Sequence, residues 1–133
     1  VRGFDARFFV PHSRHTGLNL KDLAAVPALR VLASGRRTGP FLLSTENGRQ
    51  IFVTGHPEYD LFTLDAEYRR DLEKGLEISV PENYYPSDDP AQRPINRWRS
   101  HAHLLYHNWL NYYVYQTTPY DLEELSPLAG EPR

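Results

Sequence analysis

Four prolines, Pro81, Pro86, Pro90 and Pro94, punctuate the stretch VPENYYPSDDPAQRPINRW. Each fixes its own φ and removes a backbone donor, so this stretch can be neither regular helix nor central strand. It divides the chain into a mixed first part and an aromatic last part. Segments this long without regular structure are uncommon inside compact domains. Two readings stay open here: a functional loop, or an arm packed on the surface or on a second subunit.

Before the prolines, local patterns predict a series of short elements. FFV at 8–10 ends at Pro11 and reads as a strand leading into the polar loop HSRHTG. LKDLAAV is predicted to form one or two helical turns, and LRVLAS at 29–34 a strand closed by GRRTGP. FLLST and RQIFVTG flank Glu46, Asn47 and Gly48. Asn-Gly tolerates positive φ and signals an antiparallel hairpin. From Leu61 to Lys74 the apolar residues Leu61, Leu64, Tyr68 and Leu72 keep helical spacing. Acidic Asp65 and Glu67 come early and basic Arg69, Arg70 and Lys74 come late, as the helix dipole favours, with Gly75 as the C-cap.

After the prolines, WRSHAHLLYHNWLNYYVYQTT is apolar and aromatic on nearly all sides. Its length predicts a helix, and such a helix requires burial in a core or an oligomer interface. SPLAGEPR reads as a loose tail.

With 133 residues and 40% hydrophobic content, there is apolar mass for one compact domain or part of one. A net charge of −2, with arginines scattered among acids, argues against a nucleic-acid partner. No run reaches the roughly 18 apolar residues of a membrane span, and no signal peptide opens the chain, so a cytoplasmic location is expected. Cysteine and methionine are both absent. Disulfides and thiolate metal sites are thereby excluded within these residues. A sequence with no initiator methionine is expected to be a piece of something longer.

The candidate chemistry centres on TGHPEYD. His56 follows a predicted strand and a glycine, at the strand end where open α/β sheets place their sites. If the backbone stays extended through Pro57, residues 56 and 58 face the same side. Glu58 can then hold one ring nitrogen and leave the other free to take a proton. Spacing alone favours a solvated surface pair. Arg70, on the helix face shared by 63, 66 and 70, leans back toward His56 and could clamp a carboxylate, or simply be a solvated arginine. Ser13 in PHSRH lacks the G-x-S-x-G elbow of a nucleophile and is read as a substrate-contacting hydroxyl. His103 and His107 share a helix face beside His101, but Leu104 stands where a zinc-protease pattern needs glutamate. They read as polar residues edging an aromatic helix.

Taken together, PHSRH, FVTGHPEYD with TL and EYRRD after it, VPENYYPSDDP and WRSHAHLLYHNWLNYYVYQTTPYDL resemble the C-terminal half of a homoserine O-acyltransferase. The resemblance runs from about Gly3 to Leu122. It implies an α/β fold, the C-terminal half of a class I glutamine amidotransferase-like (flavodoxin-like) sheet with flanking helices. It also implies acyl transfer from succinyl-CoA or acetyl-CoA, as co-substrate without other cofactor, to the hydroxyl of L-homoserine, in methionine biosynthesis.

In such an enzyme a cysteine carries the acyl group. Carried onto this sequence, His56 is the base, Glu58 its orienting partner, Arg70 the substrate-carboxylate clamp and Ser13 a substrate-site residue. The cysteine and the oxyanion hole are expected in the N-terminal half, outside these residues, so residues 1–133 alone are expected to be inactive. A homodimer is the further expectation. A lone half-sheet is expected to have an open edge, marginal stability and a tendency to self-associate. Two alternatives of other classes stay open: a non-catalytic fragment or interaction module, and a glutamine amidotransferase-like hydrolase.

Overall fold

The computed structural model describes residues 1–119. It is α/β, with one small sheet and helices around it. Helix α1 covers Leu20–Ala24, capped by the Asn19 side chain, which accepts from Lys21 N. Strands β1 (Leu29–Gly35), β2 (Gly39–Thr45) and β3 (Ile51–Val53) then form an antiparallel meander in the order β1-β2-β3. The central strand β2 is buried from Pro40 to Ser44, because sheet neighbours cover both of its edges and side chains cover both of its faces. All pairing is antiparallel, so the parallel strands of a flavodoxin-like sheet are not formed by these elements.

The predicted hairpin is present, with Thr45 N donating to Gln50 O at 3.0 Å. Gly48 alone in its turn takes a positive φ, 68°, and the Tyr113 ring lies where a Cβ would stand. A side chain there would meet both a backbone and a steric obstacle. The predicted strand at 8–10 does not form: these residues join no ladder, because no neighbouring strand lies against them among the described residues. Backbone groups need a partner strand before an apolar run becomes a sheet member.

Helix α2 spans Thr63–Glu73 and ends as predicted at Gly75, whose φ is 71°. Its N-terminus has no local side-chain cap. The proline-rich segment supplies one from a distance: the Tyr84 hydroxyl accepts from Asp65 N at 3.2 Å and donates to Leu61 O. Tyr85 donates to Asp65 Oδ1 at 2.6 Å, and Asp65 also receives Arg69 Nε at 2.9 Å. One orphan helix donor is thus satisfied by a residue about twenty positions away. The core lies here, in Leu64, Tyr84, Tyr85 and Trp98. The segment is irregular, as predicted, with one 3₁₀ turn at Pro86–Asp88, and Asn83, Ser87 and Asp88 all take positive φ.

Helix α3 covers Arg99–Trp109 and passes directly into a π-helix at Leu110–Tyr115. The predicted helix exists, and within this single chain it buries Ala102 while leaving much of its aromatic surface open. Tyr106, Trp109, Leu110, Tyr112, Tyr113 and Tyr115 are exposed large side chains. The hairpin turn and the N-terminal residues touch it: Tyr113 meets Gly48, Arg2 lies 4.2 Å from the Tyr112 ring, and Asn108 donates to Arg2 O. No helix among the described residues is long and apolar enough to cross a membrane. The tail SPLAGEPR lies outside the described residues.

Candidate active site

Beyond β3 the chain leaves the sheet at Thr54, whose hydroxyl donates to Pro40 O at 2.6 Å. Gly55 is buried against the PHSRH segment. A Cβ there would stand 3.0 Å from Pro11 O, Val10 Cγ1 and His12 Cε1, so only glycine lets the two segments meet. His56 N then donates to Pro11 O at 2.8 Å, and Arg14 reaches Thr54 O and Thr38 O. Two stretches distant in sequence are fastened into one corner.

The extended backbone expected through Pro57 gives way to a turn, closed by Tyr59 N donating to His56 O at 3.2 Å. The turn still delivers the predicted pair. His56 Nδ1 and Glu58 Oε1 are 2.8 Å apart, with the imidazole side chain 34% exposed. A carboxylate at Nδ1 keeps the proton on that nitrogen and leaves Nε2 as the acceptor. The two side chains that the sequence pairs are therefore in hydrogen-bond contact.

Two neighbours that sequence reading passed over complete the corner. The Tyr59 ring stacks on His56 with centroids 4.3 Å apart and planes at 15°. Its hydroxyl donates to Glu67 Oε1 at 2.9 Å. Burial, and next the Glu67 carboxylate, push the Tyr59 phenol up to about 12, so it remains a donor throughout the neutral range. Glu67 Oε2 is buried without a hydrogen-bond partner among the described residues. The signal for Glu67 was present, since it stands one turn before Arg70 on the predicted helix.

Arg70 is an exposed residue of α2, and its Nε donates to Asp71 Oδ1 at 2.7 Å. That bond holds the Asp71 carboxyl below the usual carboxylate range, with a smaller contribution from His15. Ser13 lies half-buried on the PHSRH segment, two residues past the carbonyl that fixes His56. The three histidines of α3 take other partners: His101 Nε2 lies 3.0 Å from Asp5, and His107 Nδ1 is 3.0 Å from His103 O. No group of three or more metal-binding side chains gathers among the described residues.

A cleft of about 640 Å³ opens elsewhere, among Phe8, Phe41, Leu64, Tyr84 and Trp98. His12 joins its wall, but His56, Glu58 and Arg70 do not. Its wall mixes apolar side chains with Arg7, Arg36, Glu82 and Arg97, and it stands apart from the His56 corner. His12 Nδ1 is buried without a hydrogen-bond partner among the described residues, and burial, followed by the charges of Arg14 and His56, pulls that imidazole down to about 4.

Residues 1–120 match the family model described as homoserine O-succinyltransferase. A homoserine O-acetyltransferase of Desulfitobacterium hafniense (strain DSM 10664 / DCB-2) is 59% identical over 125 residues, 94% of this chain and 41% of that protein. Proteins of the same name from Petrotoga mobilis and Brevibacillus brevis are 54% and 58% identical, over 94% and 91% of this chain. The chain spans about 41% of the length of the first of these relatives and 40% of the other two. With the family model matched from residue 1 to residue 120, the chain belongs to the homoserine O-succinyltransferase family.

Proposed function

We propose that these residues form the base-and-clamp portion of a homoserine O-acyltransferase, acting with a cysteine-bearing portion outside the 133 residues. The observation that carries this reading is the His56–Glu58 pair, 2.8 Å apart with Nε2 unclaimed by the carboxylate. In the longer protein the sheet would be completed into a glutamine amidotransferase-like fold.

The reaction needs two proton transfers at one acceptor. His56 Nε2 takes the cysteine thiol proton as sulfur attacks the acyl-CoA carbonyl; the C–S bond to CoA breaks and the proton leaves with the CoA thiol. In the second half, Nε2 takes the proton of the homoserine γ-hydroxyl as oxygen attacks the thioester. The cysteine sulfur departs and recovers that proton. Glu58 keeps the imidazole in the right tautomer and stabilises it when protonated. Arg70 would receive the α-carboxylate, since its Nη atoms can still form a bidentate pair while Nε is held by Asp71. Glu67, one helical turn away, adds a carboxylate of opposite sign beside the clamp, its Oε1 held by Tyr59. Ser13 would line the same substrate site.

His56→Ala, made in a chain carrying these residues together with the remaining part found in the relatives, is expected to lower kcat/KM by about 10²–10⁴-fold. The assay is run with both acetyl-CoA and succinyl-CoA, because the family model and the relatives carry different acyl names. Turnover that survives the substitution refutes the assignment.

A second reading draws on one observation, the exposed aromatic side chains of α3 and the π-helix. That surface suits association, and the homodimer belongs here as part of the proposal.

A further inference from the structure

We infer that Tyr59 is a positioning residue that fixes the plane of the His56 imidazole and ties it to the helix holding Arg70. The inference rests on the reading of His56 as base and extends it to a residue with no assigned part in the chemistry.

Four contacts hold Tyr59. Its ring lies 4.3 Å from the His56 ring in a near-parallel stack, and its N–H donates to His56 O at 3.2 Å. Its carbonyl accepts from Trp98 Nε1 at 2.9 Å, and its hydroxyl donates to Glu67 Oε1. The ring also packs against the core of Leu64, Tyr84, Tyr85 and Trp98. Tyr59 therefore faces the base on one side and the buried core on the other.

The physical need follows from the imidazole itself. Rotation about its last side-chain bond is broad and roughly two-fold, so a single hydrogen bond from Glu58 leaves the ring free to tilt about the bonded nitrogen. A stacked aromatic surface removes that tilt and aims Nε2. When the ring takes a proton, the cation faces a π surface instead of water on that side. The hydroxyl serves a different purpose. It is the link from His56 to α2, through Glu67 and so to Arg70 one turn later. Ring and hydroxyl can be tested apart, since one faces the base and the other the substrate clamp.

The test uses the longer, cysteine-bearing chain and reads kcat, the KM for homoserine, and the proton resonances of the His56 ring, which a stacked phenol shifts upfield. In Tyr59→Phe the resonances and kcat are expected to stay near those of the parent, while KM rises about tenfold through the loss of a hydrogen bond to a charged group. In Tyr59→Leu the resonances move downfield and kcat falls about 10²-fold, the scale of a small misplacement of a catalytic group. Tyr59→Trp restores kcat to within about tenfold of the parent, because it restores a stacking surface.

Parental kcat in Tyr59→Leu, or an equal loss of kcat in Tyr59→Phe, overturns the role of the ring. An unchanged KM in Tyr59→Phe overturns the link to α2. If Tyr59→Leu does not fold, the Phe and Trp variants and the parent's own histidine resonances still decide. An unshifted imidazole in an active parent overturns the stacking. A parent that fails to acylate homoserine yet shows the shift sinks the acyltransferase reading itself, a different failure.

Discussion

The surroundings of Trp98 and of Trp109, eleven positions apart, show similar side chains put to opposite use. Trp98 is 4% exposed, its indole N–H bonded to Tyr59 O, inside a core shared with Leu64, Tyr84 and Tyr85. Trp109 is 45% exposed on α3, and the tyrosines that follow it are open as well. The difference is a matter of partners. Around Trp98, a proline-rich segment wraps one helix, and the aromatic handles of Tyr84, Tyr85 and Trp98 find acceptors at Leu61 O, Asp65 Oδ1 and Tyr59 O, on that helix and the turn before it. Around Trp109, a helix has apolar sides, and among the described residues they are largely open. Aromatic residues become a core when other elements supply acceptors and surface, and not through their own hydrophobicity.

The strongest attempt to break this comparison is Trp98→Ala. It removes the largest core side chain and leaves the Tyr59 carbonyl without its donor, so a loss of about 3–5 kcal/mol is expected in urea unfolding. Because Tyr59 leans on the same core, the His56 resonances should move in the same variant. A loss below about 1 kcal/mol would mean that the core lies elsewhere.

Much of this arrangement was legible from residues in advance. The Asn-Gly hairpin and the helix closed by Gly75 follow from local rules, since turn chemistry and helical spacing act within a few positions; the His56–Glu58 pair was expected on an extended backbone and is instead delivered by a turn. What was not legible depended on distance. FFV has strand composition but no strand beside it among the described residues. The cap of α2 comes from Tyr84, and no pattern within α2 announces it. Tyr59 was quoted within the motif, yet its role emerges only when the turn at Pro57 lays its ring on His56. The aromatic helix was read as necessarily buried because its composition demands cover, and composition does not say where cover comes from.

His12 offers a gentler probe of the buried side. It lies on the cleft wall beside Phe41, and burial pulls its folded pKa from the ordinary 6.5 to about 4. Between these values the unfolded chain binds more protons than the folded one, so stability rises with pH. The stabilising effect is complete above about 6.5 and is lost as pH falls toward about 4. The side chain is only half-buried, and after discounting for solvent screening the effect is about 1 kcal/mol. Urea midpoints compared between pH 7 and pH 4.5 should show this slope reduced in His12→Gln. An unchanged slope would mean that the site is wetter than the Trp98 side as a whole.

The smallest expected effect sharpens the other half of the comparison. Tyr115 is 69% exposed, the most open of the large side chains on the π-helix. In a monomer, Tyr115→Ser should change unfolding free energy by no more than about 0.5 kcal/mol, because little surface is removed from contact. The same substitution should weaken self-association if these aromatics cover one another between copies, so the urea midpoint is measured across a range of protein concentrations. A loss that grows with concentration places Tyr115 in an interface and makes the difference between the two tryptophans one of assembly. A loss above about 1 kcal/mol at every concentration would instead show that the aromatic helix folds back onto its own chain, and that the contrast with Trp98 does not hold in solution.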